Sequence, residues 1–235
     1  MVRIGGLQES HDAVLDRAKA YLGSPDAKTP FAYPWYDTYE TGAAETVLVD
    51  GDLLAPLLLH AAPDLVAYRT LHGWRDVLES GLRRVAKVAA SGHGGLEWPE
   101  MDQAIGELYQ PLDDRRGGHL SGTTLSKVLH RKMPAYIPLY DSKIFWLYCS
   151  APVVRIAPDP SRKLTWVEFM SVFACEIRRD MCEPDAVELI DEVRKLAADT
   201  HPITGLRAWD IIAWQAARNA LLTATPPEHA DDDTI

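Results

Sequence analysis

Nothing in the chain approaches the roughly 20 consecutive apolar residues needed to span a bilayer, which excludes a helical membrane anchor. The opening stretch M-V-R-I-G-G-L-Q-E-S-H-D lacks the apolar core of a signal peptide, so the expected location is the cytoplasm. Cysteine is scarce, and Cys149, Cys175 and Cys182 form an odd set without C-x-x-C spacing. That excludes a paired disulfide framework and gives no zinc pattern, so reduced, partly buried thiols are expected. Walker and G-x-S-x-G sequences are missing as well, as is any internal repeat. No cofactor or metal is therefore expected; His60 and His72, parted by a presumed turn, do not have metal-ligand spacing.

What is present is a helical period through nearly all of the 235 residues. The pattern predicts helices over His11–Leu22, from Asp50 or Asp52 through His60, and over Asp64–Ser91 with a break near His72-Gly73. Others follow over Pro99–Gln110, Ser142–Cys149, Thr165–Met181, Pro184–Ala198 and Thr204–Leu222. Thr165 and Glu168 fit a capping box, and Pro184 fits a first helical position. Only Thr46–Val49 and Val153–Ile156 look strand-like. The expected fold is mostly α, a multi-helix globular bundle with few or no short strands. It is read as one domain over 1–224, or two lobes meeting near 91–120, with a disordered acidic tail over 225–235.

A net charge of −10 opposes a protein coated in nucleic-acid-binding surface. One stretch runs against that balance. Between Arg115 and Lys132 lie five cations (Arg115, Arg116, Lys127, Arg131 and Lys132), with His119 and His130 and no acid. A local positive patch of this kind can hold a phosphate or a short run of backbone.

That stretch belongs to the segment richest in chemistry, Leu120 to Ile144. Ser121, Gly122, Thr123 and Thr124 form a turn that caps a helix over Thr124–Arg131, or that presents free N–H groups to a phosphate. Leu125, Val128 and Leu129 point inward, which leaves Lys127 and Arg131, four apart, on one face. Two such cations repel unless they are solvated or bridged by an anion. Pro134 and Pro138 then stiffen a connector that delivers Asp141 to the start of the next helix. As an N-cap alone, Asp141 stabilises by about 1 kcal/mol.

Two aromatic stretches remain. F-A-Y-P-W-Y-D-T-Y-E is a long irregular connector in which Asp37 and Glu40 suit turn caps or flank a cleft. In L-R-A-W-D-I-I-A-W-Q-A-A-R, residues Leu206, Trp209, Ile212, Ala213 and Ala216 share one face, as in a core helix; the paired tryptophans are alternatively pocket-lining.

L-S-K-V-L-H-R-K-M-P-A-Y-I-P-L-Y-D-S resembles the signature of an uncharacterised family of actinobacterial proteins. Y-D-T-Y-E, D-L-L-A-P-L-L-L and L-R-A-W-D-I-I-A-W are similar to the same family, so the likeness spans most of the chain. More remotely, the segment resembles helix-hairpin-helix DNA glycosylases, including those of the 8-oxoguanine type. That resemblance implies a glycine-turn hairpin on the DNA backbone, an attacking lysine and an aspartate at a helix start. On it, Asp141 is the aspartate, Lys127 the first candidate lysine and Lys132 the second. Ser121 to Thr124 and Arg131 hold the backbone, and Trp35, Tyr36, Tyr136 and Tyr140 are candidates to receive an unstacked base. The expected partner is DNA. The hairpin here reads Leu120-Ser121-Gly122-Thr123-Thr124, without the second glycine of the family pattern. The alternative function is a non-catalytic helical protein that binds a nucleic acid, a nucleotide or an acidic partner.

Overall fold

The computed structural model describes residues 1–23, 33–92, 98–114, 120–157 and 162–223. The acidic tail and the Arg115–His119 part of the basic stretch lie outside them.

The chain opens with strands β1 (Val2–Ile4) and β2 (Leu7–Glu9), paired antiparallel with Ile4 opposite Leu7. Gly5 and Gly6 form the two-residue turn between them. Gly5 has φ +55°, and a Cβ on Gly6 would come within 2.2 Å of the Val153 carbonyl oxygen. Helix α1 (His11–Leu22) follows, capped by Ser10, whose hydroxyl accepts from Ala13 N at 3.3 Å.

Short elements come next: α2 (Trp35–Thr38), α3 (Asp50–Leu54) and a 3₁₀ turn over Ala55–Leu59. The expected helix through His60 therefore tightens at Ala55-Pro56, and His60 ends it in the left-handed region at φ 55°. Helices α4 (Leu65–Gly73) and α5 (Arg75–Ala90) meet at Trp74, next to the expected break. Helices α6 (Pro99–Glu107), α7 (Gln110–Asp114), α8 (Gly122–Lys132) and α9 (Ser142–Cys149) continue the chain. It then runs through α10 (Trp166–Met181), α11 (Pro184–Ala198) and α12 (Gly205–Thr223). The fold is mostly α, as the period predicts. Among the described residues no helix is long and apolar enough to cross a membrane.

Neither segment expected to be strand-like is one. In Thr46–Val49, the backbone N–H of Leu48 donates to Glu79 Oε1 and that of Val49 to Asp52 Oδ2, both at 2.9 Å. Carboxylates take the donors that a strand partner would otherwise satisfy. In Val153–Ile156, Arg155 N and Ile156 N both donate to the Tyr148 carbonyl, which ends α9 rather than starting a ladder.

One continuous apolar cluster runs from Val2 to Ala217. Helix α12 packs against α1, α9 and α11, while α10 packs along α6, and α6 on α5. A polar chain ties these groups together. Trp209 Nε1 donates to Tyr148 Oη at 3.3 Å, Tyr148 Oη donates to Asp180 Oδ2 at 3.0 Å, and Gly5 N donates to the same oxygen at 2.8 Å. Leu125, Val128 and Leu129 of α8 are fully buried, as their spacing predicts. Each contributes on the order of 1.5–3 kcal/mol, which fixes the rotation of α8 about its axis.

Candidate functional site

With α8 fixed in that way, Lys127 does not reach bulk water. It is 7% exposed, and its Nζ donates at 3.0 Å to the Leu59 carbonyl, at the end of the 3₁₀ turn. The solvated basic face expected of Lys127 and Arg131 does not form, because the Ala55–His60 segment covers one of the two cations. Arg131, one turn further along α8, borders a separate cavity of about 70 Å³ beside Tyr36, Asp37 and His130. Burial and the nearby Arg207 charge push the His130 imidazole down to about 4, and its Nδ1 donates to the Ile137 carbonyl at 2.6 Å. Tyr36, Asp37 and His130 are packing and pairing groups rather than a basic surface.

Lys127 opens onto a cavity of about 80 Å³, also bordered by Tyr140, Asp141, Arg207, Asp210 and Trp214. Three structural decisions bring these side chains together. The first is the proline connector, which Ser126 pins to α8: its Oγ accepts from Tyr140 N at 3.2 Å and lies 3.0 Å from the Tyr140 carbonyl oxygen. The second is the cap of α9. Asp141 Oδ1 accepts from Lys143 N at 2.9 Å and Ile144 N at 3.0 Å, so both cap bonds use one oxygen of the carboxylate. Asp141 thus starts a helix and borders the cavity at once. The third is the 3.6-residue period of α12, which turns Trp209, Ile212 and Ala216 to the core and Arg207, Asp210 and Trp214 to the cavity.

The electrostatics follow from the enclosure. Burial lowers the Lys127 ammonium below the usual lysine range, with Arg207 and Lys143 adding to the effect and the Asp141 and Asp210 carboxyls opposing it. Asp210 is pushed up to about 6, by burial first, with Asp141 and Asp37 adding and Arg207 opposing. Arg207 itself is 3% exposed. Its Nε meets Asp37 Oδ1 at 2.7 Å and its Nη2 meets Asp37 Oδ2 at 3.0 Å, while its Nη1 pairs with Asp210 Oδ2. Asp37 is thus the ion-pair partner of α12 rather than a turn cap.

Lys132 is not brought to this cavity. Its ammonium is buried in an ion pair with Asp52 Oδ2 at 3.2 Å, on the face of α8 that meets α3. The expected phosphate site at the start of α8 is also filled from within. Ser121 Oγ accepts from Thr124 N at 3.1 Å, Thr124 is buried, and Gly122 lies under the Trp166 indole. Thr123 is half-buried in the same turn. A Cβ on Gly122 would sit 2.3 Å from Trp166 Cη2. Gly122→Ala is accordingly expected to lower stability by about 1–3 kcal/mol despite alanine's better helix propensity. A thermal melt unchanged or raised by the substitution would remove this account of the glycine.

Of the four aromatics expected to hold a base, only Tyr140 borders the cavity. Its ring stands edge-on to Trp166, Phe169 and Phe173 at 5.7, 5.6 and 5.8 Å, and burial raises the hydroxyl to about 12. Trp35 is 65% exposed, and Tyr136 meets Trp98 edge-on elsewhere. Tyr36 is buried and donates its hydroxyl to the Lys127 carbonyl at 2.7 Å. Of the two tryptophans with a pocket-lining alternative, Trp214 borders this cavity and Trp209 is core; Arg207 and Asp210 are the lining residues that sequence reasoning missed. Their signal was an acid and a cation three apart on a helix apolar nearly all round, where unpaired charge is rarely buried. Among the described residues no three His, Cys, Asp or Glu side chains are grouped to hold a metal ion.

No curated protein and no solved structure matches the chain. One family model does, over residues 14–217, and its description is "Family of unknown function (DUF6308)". A match of that extent takes in both the Lys127–Asp141 segment and the α12 face of the cavity, and the chain belongs to this family.

Proposed function

We propose that the protein cleaves N-glycosidic bonds in damaged nucleic acid, with Lys127 as the nucleophile and Asp141 as the carboxylate that faces the sugar. The observation that carries the reading is the shared cavity: a desolvated amine and a fixed carboxylate, fourteen positions apart in sequence, open into one space of about 80 Å³. The reading extends the remote resemblance on which Lys127 and Asp141 were first singled out, and the cavity is the support that does not depend on that resemblance.

Breaking the bond builds positive charge at C1′ of the sugar, which a carboxylate in a low-dielectric cavity stabilises. Lys127 supplies the electron pair. An amine is a nucleophile only when unprotonated, and its burial favours that form. Its bond to the Leu59 carbonyl holds one N–H and orients the nitrogen. Tyr140 and Trp214 border the space that an extruded base would enter. Neither Lys132 nor the start of α8 has a part in this scheme.

The test is to incubate the protein with duplexes that each carry one damaged base or one abasic site, in the presence of borohydride. The expected result is a covalent protein–DNA adduct that is lost in both Lys127→Ala and Lys127→Arg. Strand breaks after alkali are scored in parallel, since they reveal base removal without an imine. No adduct on any duplex, together with no alkali-labile site formed on the damaged-base duplexes, would overturn the reading.

A further inference from the structure

On the α12 wall of the same cavity, the charges do not balance as they do at an ordinary salt bridge. Arg207 gives a two-bonded fork to Asp37 and one further N–H to Asp210. The side chains of Arg207, Asp37 and Asp210 are 3%, 7% and 12% exposed, so water does little for either acid. One guanidinium thus serves two carboxyls, and the better geometry goes to Asp37. Asp210 is left facing the cavity, with Asp141 at the start of α9, Lys127 from α8, His60 after the 3₁₀ turn and Tyr21 from α1 also on its border. Two carboxyls on opposing elements thus face one space, Asp141 bonded to helix N–H groups and Asp210 sharing a single guanidinium with Asp37.

We infer that Asp210 is the second working carboxyl of the cavity, a general acid that protonates the departing base while Asp141 attends the sugar. This rests on the glycosidic-cleavage reading above. Lys127 Nζ bonds to C1′ as the C1′–N bond breaks, and the electron pair of that bond stays on the base nitrogen. The nitrogen takes the proton of Asp210, so the base leaves neutral and Asp210 is left as a carboxylate beside Arg207. The extra proton on the new C1′–nitrogen bond passes to Asp141 and from there to the ring oxygen as the sugar opens to the imine. Solvent reprotonates Asp210 once the base has gone. The value of about 6 for Asp210 places its acid form within reach of neutral conditions.

An abasic sugar has no base to protonate, so it separates the two ideas. The quantity to measure is the rate on a damaged-base duplex divided by the trapping rate on an abasic duplex. In Asp210→Asn that ratio is expected to fall about 100-fold. In the unaltered protein it is expected to be flat below pH 6 and to fall about tenfold per unit above it, since Lys127 is common to both substrates and cancels. The pH profile needs no variant, and so stands even if Asp210→Asn does not fold. A ratio unchanged in Asp210→Asn, or flat from pH 5 to 8, overturns the role of Asp210 and leaves the Lys127 reading intact. No reaction of the unaltered protein on either duplex removes both.

Discussion

Arg207→Met should cost about 3–5 kcal/mol of folding stability near pH 7.5, the scale for stripping one partner from a buried ion pair. Domains of this kind hold roughly 5–15 kcal/mol in all, so urea unfolding should show a large drop in midpoint. The guanidinium is 3% exposed and is bonded to carboxyls on two elements, Asp37 on α2 and Asp210 on its own helix. Methionine keeps most of the side-chain volume and removes the charge together with its bonds to Asp37 and Asp210. The pH dependence gives the cause away. Asp210 already sits at about 6, above its ordinary 3.8, so folding binds a proton between these values. Stability from such a group is complete below the lower value and is lost as pH rises through the upper one. Without Arg207 the upper value climbs further, and the deficit of the variant should widen from pH 5 to pH 8. A deficit under 1 kcal/mol, or one independent of pH, would show that the fork is not holding α2 to α12.

Asp52→Ala is the second large effect, again about 3–5 kcal/mol. Asp52 Oδ2 accepts from Lys132 Nζ at 3.2 Å and from Val49 N at 2.9 Å, and Oδ1 accepts from Thr41 Oγ1 at 2.9 Å. The two charged side chains are only 4% and 2% exposed. Removing the carboxylate strands an ammonium between α8 and α3. Lys132→Met leaves Asp52 with its Val49 and Thr41 donors, so it should cost less than Asp52→Ala. Combining Asp52→Ala with Lys132→Met should recover most of the loss, because the stranded charge goes with it. A double-mutant cycle in which the two losses simply add would contradict a pair of this kind.

The helices were legible because their ends are written locally. Ser10, Asp141 and Thr165 cap α1, α9 and α10 through side-chain oxygens one turn from the N–H groups they serve. The turn at Gly5-Gly6, between Val2–Ile4 and Leu7–Glu9, was equally local and carried a hairpin signal, but the strands are only three residues each. The site was half legible. Asp141 and Lys127 stand out by residue type and position, and the cavity joins them. What periodicity cannot supply is the cover. Whether a lysine on a helix faces water depends on which distant segment lies across it, here residues 55–60 for Lys127 and α3 for Lys132. The same holds for Gly122 and Trp166, forty-four positions apart, whose contact closes the helix start that would otherwise suit a phosphate.

The hydroxyl of Ser126 touches both backbone groups of Tyr140, and its neighbours along the chain are Lys127 and, beyond Tyr140, Asp141. Lys127 and Asp141 each follow one end of the same clasp, so the bonds between Ser126 and Tyr140 fix how far apart their backbones lie. The spacing of Lys127 and Asp141 is therefore set within sixteen consecutive residues, 126–141, whereas the wall opposite is supplied by α12.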